Sequence, residues 1–153
     1  MDALGSAFNS RLAAARRGAV EVLGRIPQKA SRRAIALSSA SLEDLDWEVR
    51  RAAVEAIAKL VDRGDENAVT AVSLRLQHRE ACVRRAALQA LVRVAAKADA
   101  LVIESLSKSI EDQADTVRRA AAEELVAFVE RGNEYALDAV RPRLEHQSAE
   151  VRR

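Results

Sequence analysis

VRRAAVEAIAKL at residues 49–60 returns as VRRAALQALVRV at 83–94 and as VRRAAAEELVAF at 117–128, each step being 34 residues. One period earlier, 15–26 reads ARRGAVEVLGRI, and Val151 to Arg153 opens a further copy. A fixed period of this length marks a stacked array of short units, none of which buries its apolar face alone. Function is therefore sought on a repeated surface.

Within each copy the apolar residues fall on one helical stripe. Val49, Ala53, Ile57 and Leu60 recur as Val83, Ala87, Leu91 and Val94, then as Val117, Ala121, Leu125 and Phe128. Spacings of three and four put each set on one face. The adjacent alanines favour helix and let neighbouring helices approach closely. The other half of each unit keeps register as well. Ser31, Asp65, Asp99 and Asn133 are one period apart and are helix-capping types. Ile35 and Leu42 follow the first cap; Val69, Val72 and Leu76 the second; Ile103, Leu106 and Ile110 the third; Leu137, Val140 and Leu144 the fourth. Asp46 and Ser148 are caps for the second helix, and Gly64 and Gly132 stand where a left-handed residue closes it. The pattern predicts helices over 3–25, 32–43, 47–62, 66–77, 81–96, 100–111, 115–130 and 134–145.

Composition agrees. The 153 residues are 49% hydrophobic with two prolines and five glycines, and no period-two alternation or Asn-Gly hairpin turn points to strands. Aromatics are 3%, so Ala, Val, Leu and Ile build the core. A net charge of +2 makes the global field weak. The basic charge is mostly arginine, whose planar fork suits carboxylate pairing between units. The single cysteine, Cys82, excludes an internal disulfide and, beside Val83, reads as a small buried filler. No apolar run is long enough to span a bilayer. Residues 3–20 are Arg-bearing and acid-free, a trait of organelle transit segments. The repeat register from Ala15 to Ile26 favours a helical cap in an intracellular chain instead.

Placed on these helices, the pattern resembles HEAT and HEAT-like (armadillo-type) repeats. Leu42, Leu76, Ile110 and Leu144 fill the end of the first helix. Asp44 and Asp112 fill the turn, and Val49-Arg50, Val83-Arg84, Val117-Arg118 and Val151-Arg152 open the second helix. The resemblance implies an all-α, right-handed solenoid of antiparallel helix pairs over 1–153. Its parts are an N-terminal half-repeat (1–30), full repeats (31–64, 65–98 and 99–132) and a C-terminal partial repeat (133–153). It also implies that the turn Asp pairs with arginine of a neighbouring unit, and that the column Arg16, Arg50, Arg84, Arg118 and Arg152 bonds to Asp or backbone between units. His78 and His146 replace the turn Asp in alternate copies. They lie two units apart, roughly 20 Å at helix-packing distance, too far to share a metal. Pro142 is expected to bend or shorten its helix.

A second column, Arg17, Arg51, Arg85, Arg119 and Arg153, is followed four residues on by Glu21, Glu55, Gln89 and Glu123, and four further by Arg25, Lys59, Arg93 and Ala127. These offsets put all three on one helical face. One reading is a solvated face of ion pairs. The other is the inner, ligand-facing surface that the resemblance implies, receiving an acidic partner segment on Arg17, Arg51, Arg85 and Arg119. Gln89 leaves the middle of the strip less compensated, which makes Arg85 and Arg93 the foremost contacts. The leading function is a non-catalytic protein-interaction scaffold or subunit of a larger assembly. A chain that starts with half a unit and stops inside another is expected to continue, or to have its open end covered by a neighbour. Nucleic-acid binding in the manner of HEAT-like glycosylases is the alternative, opposed by scarce aromatics and balanced charge. A tetrapyrrole lyase of HEAT-like type comes third, because no nucleophile–base set, phosphate loop or metal-ligand spacing occurs. No cofactor is expected.

Overall fold

The computed structural model describes residues 3–26, 31–96 and 99–129. Among them are eight α-helices and no strand. They are α1 (Ala3–Phe8), α2 (Ala13–Leu23), α3 (Arg32–Ala40), α4 (Trp47–Leu60), α5 (Glu66–Ser73), α6 (Ala81–Val94), α7 (Ala100–Ser109) and α8 (Asp115–Val129). They pair as hairpins α1–α2, α3–α4, α5–α6 and α7–α8, stacked as a helical solenoid. The second helices α2, α4, α6 and α8 form one continuous layer. On the other side α3 packs on α5, but α5 meets α7 far less closely than α4 meets α6. The helix expected over 134–145 lies outside the described residues, as do Gly132, Asn133, Pro142, Leu144, His146, Ser148 and 151–153.

The caps do what their chemistry predicts. The Ser31 hydroxyl accepts from the Ala34 amide, and Asp65 from that of Ala68 at 2.9 Å. Asp99 accepts from Leu101 and Val102, and Asp46 from Glu48 at 2.8 Å. Two first helices end in a tightened 3-10 turn, Ser41–Glu43 and Leu74–Gln77, instead of running as α-helix to 43 and 77. That winding bonds carbonyls a terminating helix leaves free. Gly64 does not close α4 as expected, because that helix ends at Leu60 with Val61 extended; it adopts φ +89° in the turn beyond, where its amide donates to the Val94 carbonyl of the next unit at 2.7 Å.

The segment expected as one helix over 3–25 is broken. Asn9 to Leu12 form a turn in which the Ser10 hydroxyl accepts from the Leu12 amide and Asn9 donates to the Gly5 carbonyl. Ser10 stands one period before Asp44, and Phe8 one before Leu42. The first unit therefore carries its own short first helix, and is a hairpin rather than a lone second helix.

The stripe of the second helices is the core. Val49, Ala53, Ile57, Val83, Ala87, Leu91, Val117, Ala121 and Leu125 are all buried. Enclosing a leucine such as Leu91 contributes about 2 kcal/mol. Alanine keeps the layers thin. At Gly24 even a methyl group would stand 3.0 Å from the Ala56 backbone, so the end of α2 abuts α4.

The first arginine column ties each unit to its turn and to the next unit. Arg16, Arg50, Arg84 and Arg118 each donate from Nη1 to the carbonyls six and five residues before them. Arg16 and Arg84 also grip the turn Asp one unit on, bidentately. Arg16 meets Asp44 at 2.7 and 2.8 Å, and Arg84 meets Asp112 at 2.7 Å twice. Each Asp accepts in addition from the amide two residues ahead. The bond from Arg16 holds the Asp44 carboxyl below its ordinary range. Burial pushes Asp112 up, but the Arg84 bond, the Ala114 amide and nearby positive charge outweigh it, and Asp112 is also lowered. At His78 the turn bond survives, since Nδ1 accepts from the Glu80 amide at 3.1 Å, but the carboxylate for Arg50 is missing. That junction is held by Arg75 on Glu43 at 2.9 Å, with His78 Nε2 at 4.0 Å from the same carboxylate.

Two outcomes follow. Both Asp pKa values are depressed on folding, so their stabilisation is complete above about pH 4 and is lost as pH falls through the lowered values. Replacing Asp44 and Asp112 by Asn will cost about 2 kcal/mol per site at pH 7 and flatten the acid limb of stability, measured by urea melts between pH 2 and 7. His78→Asp will supply the missing partner of Arg50 and stabilise the chain by about 1 kcal/mol at pH 7; a lower melting midpoint would contradict this equivalence of turns.

Candidate docking surface

The solvent side of the second-helix layer carries the three charged columns. Arg51, Arg85 and Arg119 are exposed and Arg17 is half-buried, with Glu21, Gln89, Glu123, Arg25, Lys59 and Arg93 exposed on the turns that follow. Two grooves run between the helices. The α2–α4 groove, about 410 Å³, is lined by Arg17, Glu21, Arg25, Arg51, Glu55 and Lys59 among others. The α4–α6 groove, about 300 Å³, is lined by Trp47, Arg50, Arg51, Glu55, Cys82, Arg85, Gln89, Arg93 and Glu124 among others.

Pairing along the strip is uneven. Arg17 is neutralised twice, at 2.6 Å by Glu48 of the next unit and at 3.5 Å by Glu21. Arg119 is held at 2.8 Å by Asp115 on its own helix. Arg93, expected to be under-compensated, instead reaches back to Glu55 at 2.7 Å. That takes the carboxylate the i,i+4 spacing would offer to Arg51. Arg51 lies over the Trp47 ring, 5.1 Å from its centroid. Among the described residues neither Arg51 nor Arg85 has a carboxylate partner.

The cause is a column the helical reading passed over. Arg17 crosses to Glu48, the residue before the repeat valine. One period on, the same place holds Cys82, and then Thr116. The residue that would neutralise Arg51 is thus a thiol, and the one for Arg85 a hydroxyl. Cys82 is exposed, not the buried filler expected. It precedes buried Val83 on α6, and one helical step turns it from the core to the groove. Trp47 was readable as an aromatic but not as a surface one; it is 57% exposed on the first turn of α4.

The structural column Val49, Arg50, Val83, Arg84, Val117 and Arg118, with Asp44 and Asp112, lies in the core and turns, Arg50 also lining the α4–α6 groove. Among the described residues no group of three metal-ligating side chains occurs, and no helix is long and apolar enough to cross a membrane.

A search of curated proteins finds no match. Among solved structures, an engineered protein from a structural genomics consortium superposes with a TM-score of 0.51 at 20% identity, covering 99% of this chain and 77% of its own. A designed armadillo repeat protein in complex with the peptide (KR)4 gives 0.49 at 19% identity, with 97% and 76% covered. The family described as HEAT repeats matches over residues 1–92 and 36–126. With that match over most of its length, and the turn-and-arginine geometry that repeats at each unit, the chain belongs to the HEAT repeat family.

Proposed function

We propose that the chain is a non-catalytic protein-interaction scaffold, a structural or accessory subunit of a larger assembly, which takes acidic segments of its partners on the second-helix face. Arg17, Arg51, Arg85, Arg93 and Arg119 form the basic strip. The observation that carries this reading is the repetition of guanidinium groups at one position per unit on the solvent side of the layer. A stack of this kind offers an extended surface instead of a single pocket. Its grooves are open channels lined by long charged side chains, many already engaged with one another, an arrangement suited to docking.

Cross-linking in extracts of the native host, followed by reconstitution of the captured partner with purified chain, tests the proposal. Arg51→Glu, Arg85→Glu and Arg119→Glu together will weaken that partner at least tenfold, about 1.4 kcal/mol, and leave the thermal melt in place. Unchanged affinity, or cross-links confined to the first-helix side, would overturn it. Retention of an oligonucleotide in a low-salt filter assay, lost in the same variant, would favour a nucleic-acid ligand instead.

A further inference from the structure

The strip is not uniform: among the described residues its second column lacks carboxylate partners at Arg51 and Arg85, and both line one groove. Between α2 and α4 the crossing carboxylate Glu48 is present and Arg17 is neutral in effect. Between α4 and α6 the crossing position is Cys82, the following i,i+4 position is Gln89, and Glu55 is occupied by Arg93. Glu124, which also lines the groove, is itself engaged. Two guanidinium groups, Arg51 and Arg85, thus face one open channel with no internal counter-charge bonded to them.

Arg51 is also pre-organised. Stacked on Trp47, its planar fork is held while its edge N–H donors stay free for a planar carboxylate. A donor fixed before binding loses less rotamer freedom on contact. Arg51 and Arg85 occupy equivalent positions on adjacent helices, so they are separated by roughly one helix–helix distance, 8–10 Å. In a polyproline-type extended chain, residues three apart share a face and lie roughly 9 Å apart. The two spacings match. Neighbouring acidic residues on such a chain point to different faces and meet only one arginine.

We infer that the α4–α6 groove is where a partner's acidic segment is seated, in extended form, with two carboxylates three residues apart bonded one each by Arg51 and Arg85. This deepens the docking role proposed above and rests on it. Arg17 and Arg119, spent on Glu48 and Asp115, are not anchors. Nucleic acid fits the groove less well, because Trp47, the aromatic that lines it, already has a guanidinium over one face and offers no open stacking platform there.

The chain supplies its own reporter. Cys82 is its single cysteine, is exposed, and lines this groove. The rate of Cys82 alkylation by iodoacetamide is measured with and without a saturating synthetic peptide of Glu-Pro-Pro repeats. A peptide of the same composition, its glutamates regrouped so that no two stand three apart, serves as control. The repeat peptide will slow alkylation at least fivefold, and the control less than twofold. Protection will vanish in Arg51→Gln/Arg85→Gln and persist in Arg17→Gln/Arg119→Gln, each compared with its own peptide-free rate. Absence of protection, equal protection by the control, or protection that survives Arg51→Gln/Arg85→Gln overturns the inference. So does equal protection by oligo-dT at the same salt. Should the partner of the wild-type chain still be lost in the triple Glu variant while Cys82 stays unprotected, the docking role stands and the seat lies elsewhere on the strip.

Discussion

Burial of the valine–alanine–leucine stripe between successive second helices is the contact everything else presupposes. No single hairpin here encloses Val83 or Leu91; the neighbouring helices do. Because the stripe is thin, with Ala53, Ala87 and Ala121 fully enclosed, the second helices lie close enough for charged side chains to span from one unit to the next. Glu48 can then reach Arg17, and Glu55 can reach Arg93. The surface electrostatics is a product of the core spacing.

Two arginine columns, adjacent in sequence, have separate duties because one residue on a helix is a rotation of about 100 degrees. The first, Arg16 to Arg118, is turned toward the turns and satisfies carbonyls that would otherwise end unpaired. These are partly buried, charge-assisted bonds of the kind that contribute real stability. The second, Arg17 to Arg119, faces water, where an ion pair is worth a few tenths of a kcal/mol. Such groups are cheaply re-paired. A face of this sort can exchange an internal carboxylate for a partner's with little loss of fold.

The period, the stripes and the caps at Ser31, Asp65 and Asp99 are legible in the sequence, because each rests on local chemistry repeated at a fixed interval. The arginine–turn pairing was readable only as an implication of family resemblance, and the structure supplies its geometry. The break at Asn9 is hard to see because alanines and apolar residues dominate on both sides of it; a single hydroxyl, Ser10, plays the part of the turn Asp, and it is visible only when compared with position 44. Cys82 was misplaced for the opposite reason. Its type favours burial, but its neighbour Val83 already owns the inward direction. The partner of Arg93 lies 38 residues away on another helix, a contact no pairing rule within one helix can foresee.

The junction between the α3–α4 and α5–α6 hairpins lacks the Arg–Asp grip found on either side. Besides the packed stripe it is fastened by Glu43 with Arg75, by Gly64 with Val94 and by Glu55 with Arg93, and the place of the Arg–Asp grip stays unfilled. A segment lying across Arg51 and Arg85 would bridge that gap, with one foot on each hairpin. Occupancy and the pitch of the superhelix are then coupled: whatever fills the channel also sets the step between the halves of the stack, and a change of pitch imposed elsewhere alters how tightly the channel holds its guest.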